Sequence, residues 1–153
     1  QQAIAARPDY ADCYVNLGVV LKIQDQFAGA VEMWETALRY DKNQITALKH
    51  LGWVLAVSSD PAIANPQKAL TYAQRAYEIA QDQSAAILDV LAAAYAANGQ
   101  YENAVVSAQK AIHLARAGGK ESLACEVGER VDLYRQHKPY QLMGVSKTED
   151  PHE

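Results

Sequence analysis

Phenylalanine is all but missing from this chain, cysteine, methionine and tryptophan occur twice each, and neither sign of charge dominates. Each scarcity closes a class of answers. Cys13 and Cys125 are too few and too far apart for a disulfide framework or a zinc signature, and both read as ordinary small apolar residues. A net charge of -4 offers little attraction to phosphate backbones, so nucleic acid is not an expected partner. No apolar stretch reaches the roughly 20 residues that a membrane-spanning helix needs. The run Val90–Ala97 follows Asp89 and stops at Asn98. No signal-peptide pattern opens the chain. It begins at Gln1, and 1–6 read like the end of a helix, which implies a longer parent protein. Free thiols favour a reducing interior, with the periplasm open if that parent is membrane-anchored.

Catalytic patterns are equally sparse. His50, His113, His137 and His152 have no Cys, His or carboxylate at metal-ligand spacing on one helix face, so no metal is expected. Gly118–Gly119–Lys120 lacks the rest of a phosphate loop, and no Gly-x-Ser-x-Gly elbow occurs. Glu32 and Glu35 lie at i, i+3 on an expected solvated face. The expectation is a protein that is not an enzyme and needs no cofactor.

What the chain does have is 50% hydrophobic content, enough for one domain with a core, and an internal repeat. Leu17–Gly18 recurs as Leu51–Gly52, a shift of 34, and Ala3–Ile4 recurs as Ala37–Leu38 at the same distance. Leu51 maps to Leu91 after 40 residues and Ala69 to Ala104 after 35. The excess sits in the longer segment 58–66, with one further residue near Gln81–Ser84. Within each unit, apolar or small residues fall at i, i+3, i+4 and i+7, which places them on one helical face. Tyr14, Leu17, Gly18 and Leu21 form the first such set. Leu48, Leu51, Gly52 and Leu55 form the second, and Leu88, Leu91, Ala92 and Tyr95 the third. The second helices carry Ala30, Trp34, Ala37 and Leu38, then Ala69, Ala73, Ala76 and Tyr77, then Ala104, Ala108, Ala111 and Ile112. Small residues let paired helices approach closely, so Gly18 and Gly52 are expected to face Ala30 and Ala69. Each glycine costs roughly 1 kcal/mol of helix propensity, which close packing must offset. Asn98–Gly99 and Gly118–Gly119 end helices, Asp25 stands where Gly99 stands, and Asn65–Pro66 starts a helix.

A fourth pattern, 121–136, is amphipathic through Leu123, Val127, Val131 and Tyr134, and suits a cap over the open end of a stack. The units are then 1–10 (the end of a preceding repeat), 11–44, 45–84 with the insertion near 58–66, 85–118, the capping helix 119–137, and a loose tail 138–153.

On these residues the chain resembles the tetratricopeptide repeat family. The resemblance rests on Leu17–Gly18, Leu51–Gly52, Tyr95, Ala30, Ala37, Ala69, Ala76, Ala104 and Ala111, with Pro8 matching a closing proline. It departs at Lys42 and Asp82, near where such a proline is usual, and at Ala92, where Gly is usual. It implies an all-α, right-handed superhelical solenoid whose first helices line a concave groove, and a partner that is another protein, bound as a peptide or helix. The implied contact residues are Asn16, Val19, Lys22, Lys49, His50, Trp53 and Asp89, with Asp12, Val15, Ala56, Val57, Val90, Ala93, Ala96 and Ala97 also pointing inward. Trp53 leads them, because aromatic anchors dominate binding energies; the bland alternative packs it over the insertion around Pro61. Lys22 and Lys49 would attract an acidic segment or simply be solvated. The family's carboxylate clamp maps onto Val15, Val19, His50, Ala86 and Val90, which cannot make such bonds. Its backbone-gripping asparagine maps onto Asn16, His50 and Val90, where one of three fits.

Two other readings stay open. Similar arrays with a Lys-Pro-Tyr-like tail occur on bacterial glycosyltransferases, so this one could present substrates for a larger enzyme. The N-terminal edge around Ile4 could pair with another copy, giving a homo-oligomer.

Overall fold

The computed structural model describes residues 7–142. Seven α-helices follow one another in this part of the chain: α1 Pro8–Ile23, α2 Phe27–Tyr40, α3 Ile45–Val57, α4 Pro66–Ala80, α5 Ala85–Ala97, α6 Tyr101–Ala117 and α7 Glu121–Arg135. A 3-10 turn, Gln81–Gln83, joins α4 to α5. The fold is an all-α helical solenoid, as the periodicity predicts. Helices α1–α2, α3–α4 and α5–α6 pair as hairpins, and α7 packs on α6. Successive hairpins meet through α2–α3 and α4–α5, and α3 also lies directly on α5. The outer helices α4 and α6 share no comparable contact. The side on which α3 and α5 meet is the inner side of the stack.

The ends of four helices share one device. Residues Asp25, Gly99, Gly119 and His137 all take positive φ, from 56° to 75°. After each, the next amide bonds back across the last turn: Gln26 to Leu21, Gln100 to Tyr95, Lys120 to Ala115 and Lys138 to Leu133, at 2.8–2.9 Å. This six-to-one closure satisfies carbonyls that a helix end leaves open. Asp25 thus adopts the conformation of Gly99, despite its side chain. At the starts, Asn65, Ser84 and Gln44 side chains accept from Lys68, Ile87 and Ala47 amides. In the insertion, the Asp60 carboxylate accepts from the Ala62 amide at 2.9 Å, and the Asn65 amide donates to the Leu55 carbonyl.

The two glycines make room for close neighbours. A Cβ on Gly18 would press first on the Trp34 indole, within 2.6 Å of Cδ1. A Cβ on Gly52 would lie 2.9 Å from Val90 Cγ1 and 3.3 Å from Ala73. Trp34 is fully buried, and its Nε1 donates to the Val15 carbonyl at 3.3 Å. Leu17 departs too. It is 46% exposed, whereas its counterparts Leu51 and Leu91 are 0% and 4% exposed. Those two lie between successive hairpins, while no described helix covers that side of α1. Cys13 and Cys125 are exposed rather than buried.

The tail also departs from expectation. Residues 138–142 run back along the stack, and the Leu142 amide donates to the Val57 carbonyl at 2.8 Å. Leu142 forms a parallel bridge with Ser58. Of 1–10, expected to end a preceding repeat, 1–6 lie outside the described residues, as does the rest of the tail, 143–153, while 8–10 open α1.

Candidate functional site

The inner side of the stack is where α1, α3 and α5 present side chains that hairpin packing does not use. Asn16 is exposed there, and Val19, Lys22, Lys49, His50 and Trp53 are half-buried. Asp12, also exposed, accepts from Gln44 Nε2 at 2.8 Å. Other residues expected to line the groove are core instead: Val15, Ala56, Val57, Val90, Ala93 and Ala96 are buried. Val90 turns toward α3, beside Gly52. The sequence pattern misplaces them because α3 and α5 press together along the face that the first helices turn inward.

His50 lies over Trp34, ring centroids 4.8 Å apart and planes 11° apart. Burial pushes its pKa down to about 4, with Lys22 and then Lys49 adding to the effect. It is thus a neutral ring covering the buried indole.

Trp53 is half-buried on α3. Its ring meets Tyr140 at 5.7 Å, and the Arg130 guanidinium stands 5.2 Å from the centroids of both rings. Arg130 comes from α7 and reaches Asp89 on α5 in a two-pronged pair, Nε to Oδ1 at 3.0 Å and Nη2 to Oδ2 at 2.6 Å. Both are buried. Burial pushes the Asp89 carboxyl above its ordinary value, and the guanidinium pulls it back. Asp89 is therefore committed to the capping helix, not left open to a partner. Nearby, the buried Tyr134 hydroxyl makes no hydrogen bond to the described residues. Arg130 and Tyr140 are the neighbours of Trp53 that sequence reasoning missed. The one available signal was the Arg in an otherwise apolar position of the capping helix, between Val127, Val131 and Tyr134.

Beside Leu142, at the hairpin-turn end of the stack, lies a cleft of about 660 Å³. Its walls are the first hairpin turn (Asp25–Gly29), Val54 of α3, the insertion residues Ser58–Asp60 and Ile63, and Leu142 itself. Among the described residues no three His, Cys, Asp or Glu side chains converge as a metal site, and no helix is long and apolar enough to cross a membrane.

Stacked helical hairpins with an inner face and a capping helix define a helical-repeat protein. The family model described as tetratricopeptide repeat matches residues 11–40 and 84–117, and these segments are similar to that family. The middle hairpin, between the matched segments, is the one that carries the insertion. A comparison with curated proteins finds no match. Tetratricopeptide repeats generally mediate contacts between proteins.

Proposed function

We propose that this chain is a protein-binding scaffold that takes a partner peptide or helix on its inner face, around Asn16, Val19, Lys22, Lys49 and Trp53. The observation that supports this most is the segment 138–142. An extended stretch of polypeptide already lies on that face, with an aromatic side chain on Trp53 and a backbone bond to Val57. A surface that holds a stretch of polypeptide in this way supports the reading. Lys22 and Lys49 add positive charge at its edge, which favours a partner with acidic residues beside the bound segment.

Photo-crosslinking tests the reading. A benzophenone amino acid is placed at Asn16 or Lys49 on the inner face, and at the exposed Glu32 or Lys110 on the outer helices. A discrete protein adduct in cells that make the chain should form from the inner positions and not from the outer ones. Adducts from the outer positions alone would count against it.

A second reading has its own observation. Tyr10, Leu17, Val20 and Ile23 of α1 are all exposed. A row of that kind suits another hairpin, supplied by a second copy of this chain. Sedimentation of the wild type against Leu17→Asp/Val20→Asp tests it; a wild type that stays monomeric at high concentration would dismiss the self-association.

A further inference from the structure

We infer that residues 138–142 are an internal ligand, and that the inner face reads extended segments carrying an aromatic residue and, two positions on, an aliphatic one. The inference rests on the inner face being the binding face, and it names both the chemistry read there and the occupant a partner must displace.

The argument begins with what holds the segment. Tyr140 lies against Trp53 and under the Arg130 guanidinium, so the aromatic position is recognised on two sides. Arg130 is fixed in turn by its paired bonds to Asp89, so this pocket is rigid before any ligand arrives. Two residues further on, the Leu142 amide donates to the Val57 carbonyl at the end of α3, and its side chain lies at the mouth of the apolar cleft. In an extended chain, residues i and i+2 point to the same side. Tyr140 is half-buried on Trp53 and Leu142 lines the cleft, so both positions engage the stack.

The same geometry shows that this occupant fits incompletely. Backbone pairing of 139–142 with the rest of the described fold is seen at Leu142, which bonds to Val57 and bridges to Ser58. Leu142 remains 37% exposed, and the cleft beside it, walled by Phe27, Val54 and Ile63, extends well past one side chain. A partner with the same aromatic-x-aliphatic pattern and further apolar residues can bury more of the cleft than the tail does. A face occupied by its own tail binds a competitor more weakly in proportion to the free fraction, so displacing or disabling the tail raises apparent affinity.

The probe is a fluorescein-labelled synthetic peptide copying residues 138–144, followed by anisotropy. The wild-type chain should bind it weakly, and Tyr140→Ala should bind it at least tenfold more tightly. Leu142→Pro, which removes the donor to Val57 from a surface position, should also tighten binding, and covers the case in which Tyr140→Ala loses helical circular dichroism. Adding Trp53→Ala should abolish the gain, as should alanine in place of the peptide's own tyrosine. Folded variants that bind no better than wild type would overturn the inference. So would a wild-type dimer that Tyr140→Ala makes monomeric, since the segment would then belong to a second copy. Inner-face crosslinks to a partner that persist unchanged in Tyr140→Ala would sink the internal ligand and leave the scaffold reading standing.

Discussion

At the scale of single residues, the helical glycines do different work and can be separated by one substitution. Gly18 makes room for a fully buried indole, whereas Gly128 of α7 has nothing within 4 Å of where a Cβ would be. Alanine gains about 1 kcal/mol of helix propensity at either place. At Gly18 it also overpacks a rigid neighbour, which costs about 1–3 kcal/mol, and threatens the Trp34 bond to Val15. Urea unfolding should therefore show Gly18→Ala less stable and Gly128→Ala more stable than wild type. A stable Gly18→Ala would mean that Trp34 can move aside. His50 supplies a pH effect. Its folded pKa of about 4 lies below the ordinary 6.5, so above 6.5 the ring is neutral in both states and its contribution is complete. As pH falls from 6.5 toward 4, the unfolded chain takes a proton that the folded chain refuses, and stability is lost. With the ring only partly screened from solvent, the loss is on the order of 1 kcal/mol. His50→Phe keeps a ring over Trp34 and cannot titrate, so its urea midpoint should fall less than wild type between pH 7 and pH 4.5. Parallel curves for the two proteins would place the proton elsewhere.

At the scale of elements, the capping helix is tied to the stack by a charge pair and not by apolar packing alone. Removing one partner of a buried pair leaves the other uncompensated, at a cost of about 3–5 kcal/mol, while replacing both with apolar groups of similar volume is often neutral. Asp89→Asn or Arg130→Met alone should lower the thermal midpoint sharply, and Asp89→Leu/Arg130→Met should recover much of it. A double variant as unstable as the sum of the singles would deny the coupling. This pair also marks where the sequence stops being readable. The helices, their 34-residue register and the turn at Asn98–Gly99 are local patterns, and Asp25 could be matched to Gly99 because both answer to one turn geometry. Leu17 could not be told from Leu51, since identical local surroundings hide whether a neighbouring hairpin lies across them. That the Trp34 indole presses closest on Gly18 depends on how far two helices slide along one another, which periodicity leaves free. Asp89 looked like an open groove residue because its partner is 41 positions away on a helix of different character. Trp53 was expected to meet a partner and instead meets Tyr140 of its own chain, which stood in a stretch with no periodicity to announce it.

At the scale of the whole molecule, an array in which each hairpin touches only its neighbours has stability distributed along its length. Helix α5 is buried without interruption from Ile87 to Ala94, whereas α1 buries Ala11, Val15 and Gly18. The apolar residues that α1 turns outward have no described helix to protect them. Opening should therefore begin at the first hairpin and reach α5 last, because every partial opening from that end leaves α5 held between α3 and α6. Hydrogen exchange read by mass spectrometry should find amides of α5 exchanging only through global unfolding and those of α1 at a free energy lower by several-fold or more in protection. Asp89→Asn should then loosen α7 and 138–142 while leaving the exchange of α1 where it was, since no contact of that pair reaches the first hairpin. Equal protection of α1 and α5 in the wild type would show that the stack opens as one unit. In that case a partner seated on the inner face would feel a substitution in any hairpin alike, and the local character argued for the Trp53, Arg130 and Tyr140 cluster would be lost.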